Sequence, residues 1–267
     1  MSFELKTDFD QITNRREKIE SEINNFKNKV EARFSEIDAK RINEALEFML
    51  KIHLPQKDRV DGKPFASHPL AVAEKVMAMS DDPDLIIAAL DHDSVEDQSD
   101  RIFVERINRK NIGSNLHFDI SEATKEKYKT IFTAWSFKEI GELFGPKVKY
   151  YVENMTNHDF NSLADNLNLN GEDKENFVNK LYAEHVEDIM NDPKLFTLKL
   201  ADLSTNINLR SLDPEGEKYK TLKRKYKSVI EAIIEKLQTI PTDHLIYEKK
   251  GEITKELEQV YQEQYSK

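Results

Sequence analysis

The apolar residues Ile12, Ile19, Ile23, Phe26, Val30, Phe34 and Ile37 follow one another at steps of 7, 4, 3, 4, 4 and 3 positions. Only a helix puts residues so spaced on one face, so this rhythm predicts a long amphipathic helix from about Phe9 to Leu50, with room for one break. Its stripe has two candidate partners, the body of the same chain or a second subunit in a homo-oligomer. Seven glycines and eight prolines among 267 residues leave little material for tight hairpins. Further helical patterns run from Pro69 to Met79, Pro83 to Glu96, and Phe137 to Met155 with a break at Gly145-Pro146. Others cover Asp173 to Met190, Leu195 to Leu209, Lys218 to Leu237 and Glu252 to Tyr265. No alternation of strands and helices appears, and the expected class is all-α. The polar stretch from about Gln98 to Ala134, with Asn111-Ile112-Gly113-Ser114-Asn115 inside it, has weak periodicity and reads as an irregular insertion.

Charge and composition remove several function classes. Lys and Arg total 40 against 50 Asp and Glu, a formal charge of -10, so a nucleic acid duplex is an unexpected partner for the molecule as a whole. There is no cysteine, hence no disulfide framework, thiol nucleophile or thiolate metal site. No secretory signal pattern opens the chain, and its longest aliphatic run is far below the roughly 20 residues that span a bilayer. A soluble, cytoplasmic protein without a membrane partner is the expectation.

The segment Ala88-Ala89-Leu90-Asp91-His92-Asp93-Ser94-Val95-Glu96-Asp97 carries the chemistry. An aliphatic helix runs into a dense set of ionisable groups, and residues four apart stack, His92 with Glu96 and Asp93 with Asp97. Such groups need a cation if they are buried, whereas a solvated acidic helix end needs none. Two distant segments bear on that choice. Phe65-Ala66-Ser67-His68-Pro69-Leu70 sets a histidine at the start of an apolar helix, and Leu198-Lys199-Leu200-Ala201-Asp202 sets a carboxylate inside another, with Asn206 one turn on. A hydrogen-bonded core histidine and a structural salt bridge are the plainer roles for His68 and Asp202.

The ordered set His68, His92-Asp93, Asp202 resembles the H…HD…D signature of HD-superfamily metal phosphohydrolases. It is most similar to the hydrolase domain of RelA/SpoT-type alarmone enzymes and their small single-domain hydrolases. Gly62-Lys63-Pro64-Phe65-Ala66-Ser67-His68-Pro69, His92-Asp93-Ser94-Val95-Glu96-Asp97, Phe144-Gly145 with Thr156, Lys199-Leu200-Ala201-Asp202 with Asn206, and Pro214-Glu215-Gly216 followed by Tyr226 carry the likeness. It covers about residues 40 to 237. The resemblance implies an HD-domain helical bundle at 40–237, from which the chain departs by an insertion at about 98–134 that is placed to act as a lid. A helical extension at 1–39 would precede it, a helical tail at 238–267 would follow, and no synthetase domain is expected.

The resemblance assigns His68, His92, Asp93 and Asp202 as metal ligands, with Glu96 and Asp97 activating and orienting the attacking water. It assigns Arg59, Asn206 and Tyr226 to the nucleotide. Manganese is the family's metal, and a mixed nitrogen and oxygen donor set also suits Fe²⁺ or Zn²⁺. The implied activity is 3′-pyrophosphohydrolysis of (p)ppGpp to GDP or GTP. The alternatives are an HD phosphohydrolase for another nucleotide, such as an adenosine alarmone or NADPH, and a nucleotide-binding regulator without turnover. Val60 and Asp61 depart from the lysine and small residue that follow the family's arginine, and Leu203 stands where a basic residue is usual. Lys63, Lys223 and Arg224 are further cations for phosphate, with a solvated surface charge as their plainer role. His53 is expected to pack or support the site, Trp135 to lie in the core, and His117, His158, His185 and His244 to be isolated surface or loop residues.

Overall fold

The computed structural model describes residues 2–110 and 120–266, and every regular element among them is helical. The chain divides into two compact units, Met1–Thr156 and Asn157–Lys267, a division that falls inside the segment expected to be one domain.

The first unit holds α1 (Ser2–Lys18), α2 (Glu20–Arg33), α3 (Glu36–His53), α4 (Ser67–Met79), α5 (Pro83–Asp91), α6 (Ser94–Lys110), α7 (Glu122–Phe144) and α8 (Pro146–Met155). Helix α5 is apolar on every side: Leu85, Ile86, Ile87, Ala88, Ala89 and Leu90 are all fully buried. A helix without a polar face has to be surrounded, and α5 packs against α3, α4 and α8. Its start is fixed locally, by Pro83 in the first turn and by the Asp82 carboxylate accepting from the Asp84 N–H at 3.0 Å. Gly145, at φ 98°, ends α7 in a conformation that side chains avoid, and Pro146 starts α8 at once.

The long N-terminal pattern is three helices rather than one or two. Ile19, Ile23, Phe26 and Val30 form the buried part of the stripe, and α2 lays it on α3 and α4 of the same unit. The chain straightens at Phe34 (φ -109°, ψ 161°), which resets the helical phase and turns Ile37 outward to 75% exposure.

The polar stretch read as irregular is mostly helical: α6 and α7 cover its two ends, while Asn111-Ile112-Gly113-Ser114-Asn115 and His117 lie outside the described residues. Ile102 and Phe132 are buried in it, Phe103 packs on Phe132, and buried charge adds to these contacts. Arg106 is buried and pairs with buried Glu139 and with Glu142, while Arg109 reaches Glu139 at 2.7 Å. A pair of helices joined in this way shows little hydrophobic period. Trp135 is not in the core: it is 39% exposed, between Arg106 and Lys138, each 5.0 Å from its ring centroid.

The second unit holds α9 (Phe160–Asn166), α10 (Gly171–Ile189), α11 (Pro193–Asn206), α12 (Glu217–Thr239), a short 3₁₀ turn (Tyr247–Lys249) and α13 (Lys250–Gln264). Asp192 caps α11 through the N–H groups of Lys194 and Leu195, and Pro193 opens it. Among the described residues no helix is long and apolar enough to cross a membrane.

Truncating a methyl-rich side chain in α5 should leave a cavity. Ile86→Ala is expected to cost about 3 kcal/mol in a urea titration, whereas Ile37→Ala should change stability by under about 0.5 kcal/mol. Equal costs would show that α5 is not the centre of its unit.

Candidate metal and catalytic centre

The chemistry-bearing residues of the first unit gather at the C-terminal end of α5. The single helix expected from Pro83 to Glu96 is interrupted at His92-Asp93. Here the His92 imidazole Nδ1 lies 2.8 Å from the Ala89 carbonyl and supplies the N–H that satisfies it. The interruption keeps the one-turn spacing of Asp93 and Asp97, because the Asp97 N–H donates to the Asp93 carbonyl at 3.0 Å. Glu96 and Asp97 occupy the first turn of α6, where the helix dipole favours negative charge. His68 lies in the first turn of α4, buried, its ring 5.3 Å from that of His92.

Asp93 stands between the two imidazoles. Its Oδ1 is 3.2 Å from His92 Nε2 and its Oδ2 is 3.3 Å from His68 Nε2. With the His92 proton on Nδ1, its Nε2 presents a lone pair, and an ionised carboxylate only accepts. Two acceptors held at that distance need either a shared proton or a cation between them. A backbone carbonyl fixing one ring nitrogen while the other faces a carboxylate oxygen is the arrangement that prepares histidine for a metal. The donor set of imidazole nitrogen and carboxylate oxygen fits a divalent first-row cation, and His68 and His92 both belong to a group able to hold one.

Behind this group runs a chain of hydrogen bonds. Gln56 Nε2 donates to Asp97 Oδ2 at 3.2 Å, and Gln56 Oε1 lies 2.5 Å from His53 Nδ1. The other ring nitrogen of His53 is 3.0 Å from Ser94 Oγ, which in turn is 3.3 Å from Asp91 Oδ1. His53 is fully buried and stacks on Phe65 at 5.2 Å; burial pushes its imidazole down to about 4, so the ring is neutral at pH 7. Burial drives the Asp91 carboxyl well above the usual range. Asp97 meets solvent along one edge, yet lost solvation, followed by the charges of Asp93 and Glu96, pushes its carboxyl up to about 7. A bound cation would act in the opposite direction.

Arg59 closes a turn against this face. Its N–H donates to the Lys63 carbonyl at 2.8 Å, Gly62 takes φ 79° within the turn, and its guanidinium lies 6.0 Å from the Phe65 ring centroid. Asp61 Oδ1 accepts from the Lys63 N–H at 3.1 Å, so that oxygen serves the turn, and Val60 is exposed.

In the second unit Asp202 is buried in the last part of α11. Its Oδ1 accepts from Asn206 Nδ2 at 2.7 Å and its Oδ2 lies 3.4 Å from Nζ of buried Lys199. Tyr226, on α12, is buried with its ring edge against Tyr182 at 6.3 Å. Arg224 is paired with Glu175 at 2.6 Å and with Glu217 at 3.3 Å. His158 and His185 are not isolated: their rings meet at 5.6 Å, and Phe160 contacts both. His244 packs edge-on against Phe196 at 5.8 Å. Gln56 and Ser94 were not legible as site residues. The sequence signal that points to Gln56 is its three-residue spacing from His53 at the end of α3, and Ser94 sits inside the H-D-S-V-E-D motif itself.

No protein-family model matches the sequence. A solved structure described as a metazoan ortholog of SpoT that hydrolyzes ppGpp aligns with 84% of this chain and 94% of its own, at 18% identity and a TM-score of 0.48. A stretch of 169 residues, 63% of this chain, is 30% identical to a guanosine-3′,5′-bis(diphosphate) 3′-pyrophosphohydrolase of Aquifex aeolicus (strain VF5). That stretch spans 18% of the relative's length. Over this stretch the chain is similar in sequence to the pyrophosphohydrolase, which agrees with the resemblance carried by its own motifs.

Proposed function

We propose that this chain is a divalent-metal phosphohydrolase that removes pyrophosphate from the ribose 3′ position of (p)ppGpp, with Mn²⁺ as its working ion. The observation that carries the reading is Asp93 between two imidazole nitrogens, a nitrogen and oxygen donor set that fits a divalent cation. The similarity to a guanosine-3′,5′-bis(diphosphate) 3′-pyrophosphohydrolase supports the choice of substrate.

His68, His92 and Asp93 would hold the ion, with Asp202 as the fourth ligand on the strength of the ordered sequence motif. When bound, the ion supplies Lewis-acid polarisation of the phosphoryl group and acidifies water. Glu96 and Asp97, one turn beyond Asp93, take the proton of the water that attacks the phosphorus bonded to the 3′ oxygen. The bond between that phosphorus and the 3′ oxygen breaks, pyrophosphate leaves, and the 3′ oxygen acquires a proton. Arg59 meets phosphate charge at the rim, and Asn206 and Tyr226 hold the nucleoside. Such an enzyme would act in the cytoplasm on a small-molecule nucleotide.

A second reading, hydrolysis of another nucleotide such as an adenosine alarmone or NADPH, is favoured by one observation. Val60, with 60% of its surface exposed, stands where the family places a base-contacting lysine. A panel of guanosine and adenosine alarmones and NADPH, with product identification, separates the two readings.

Mn²⁺ should raise the melting temperature of the protein, the gain reaching about 2.7 kcal/mol at a hundredfold excess over Kd. Asp93→Ala should lose this rise, and EDTA should reverse it in the wild type. A rise that survives in Asp93→Ala would move the ion elsewhere. Glu96→Ala should keep the metal-dependent rise while lowering kcat by about 10²-fold or more. Arg59→Ala should raise KM by about tenfold with kcat little changed, as expected when one charge-assisted phosphate contact is lost. An unchanged KM would take Arg59 out of the pocket.

A further inference from the structure

Gln56 and His53 have no part in the chemistry described so far, yet they connect the exposed carboxylate of Asp97 to the interior of the first unit. With the Asp97 carboxylate ionised, the donors and acceptors along that connection run in one direction. A glutamine amide offers donors only at nitrogen and acceptors only at oxygen. Because Gln56 Nε2 donates to Asp97 Oδ2 at 3.2 Å, the amide is oriented with Oε1 toward His53, 2.5 Å from Nδ1. That nitrogen therefore carries a proton. A neutral imidazole has one proton, so Nε2 accepts, and the Ser94 hydroxyl 3.0 Å away shares its proton between that nitrogen and Asp91 Oδ1 at 3.3 Å. Burial and stacking on Phe65 at an interplanar angle of 21° keep the ring from flipping, so each nitrogen stays with its own partner.

We propose that Gln56 is a positioning residue for Asp97, and that His53, locked as the Nδ1–H tautomer between Ser94 and Gln56, fixes the amide that does the positioning. The proposal rests on the hydrolase reading, in which Asp97 helps take the proton from water. A carboxylate in the first turn of a helix, open to solvent on one side, rotates freely about its side-chain bonds unless something holds it. The Gln56 N–H holds one oxygen and leaves the other for the water. Proton transfer demands this alignment, because the base has to lie within hydrogen-bond reach of the proton.

The test combines steady-state kinetics on Mn²⁺-loaded protein with histidine ¹⁵N NMR. Gln56→Ala should lower kcat on ppGpp by about 10- to 100-fold, with KM within about twofold and bound manganese unchanged. His53→Asn, whose amide nitrogen can replace Nδ1–H as donor to Gln56, should keep kcat within about threefold of wild type. His53→Leu, which fills the same space without a donor, should fall with Gln56→Ala. A role confined to packing predicts the reverse order, with leucine better tolerated than asparagine in a buried pocket. NMR of the wild type should show His53 protonated at Nδ1 alone, which needs no variant to fold. Protonation at Nε2 alone, or wild-type kcat in Gln56→Ala, overturns the proposal and leaves the hydrolase intact. If the wild type releases pyrophosphate from no nucleotide of the panel, the hydrolase reading falls and this proposal with it.

Discussion

The first unit depends on one junction, where a helix with no polar face ends in Asp91-His92-Asp93. Six consecutive aliphatic residues of α5 are fully enclosed by α3, α4 and α8. Their burial anchors the helix end to the most tightly constrained part of the unit, because a close-packed interior leaves little play for the backbone. The charged residues that follow are thereby placed at the edge of an apolar core instead of in water. There an unmatched carboxylate or imidazole is costly, and the interactions that do match it are strong. The rigid helix and the reactive cluster are two aspects of one packing arrangement.

The two units use buried charge differently. In the first, Asp93 lies between two imidazole nitrogens, that of its chain neighbour His92 and that of His68 on α4. In the second, Asp202 is already engaged by Asn206 and Lys199, both on its own helix. A lysine three positions before an aspartate on an apolar helix supplies part of the counter-charge that lets α11 bury a carboxylate.

Much of the helical fold and part of the site could be read from the residue pattern, for identifiable physical reasons. The helix starts at Pro83 and Pro146 and the break at Gly145-Pro146 follow from local backbone chemistry, which does not depend on distant partners. His68, His92 and Asp93 are adjacent in the first unit because the helices that bear them pack on each other. Two expectations failed where the governing interaction lies outside the hydrophobic period. The α6–α7 pair is joined by arginines and glutamates as well as by apolar residues, and Ile37 keeps the spacing of its stripe while a backbone extension at Phe34 changes its phase. Gln56 could not be read as part of the site, because its role depends on an amide orientation set by two side chains from different elements.

The joining of α6 to α7 gives this part of the molecule its own response to solvent conditions. The outer charges, Arg109, Lys110 and Glu142, face water and are weakened by dissolved ions, whereas the enclosed Arg106–Glu139 contact is shielded from them. Concentrated electrolyte should therefore loosen the rim of this helical pair before it affects the greasy centre around α5. The protein thus combines two kinds of cohesion, one sensitive to ionic strength and one much less so.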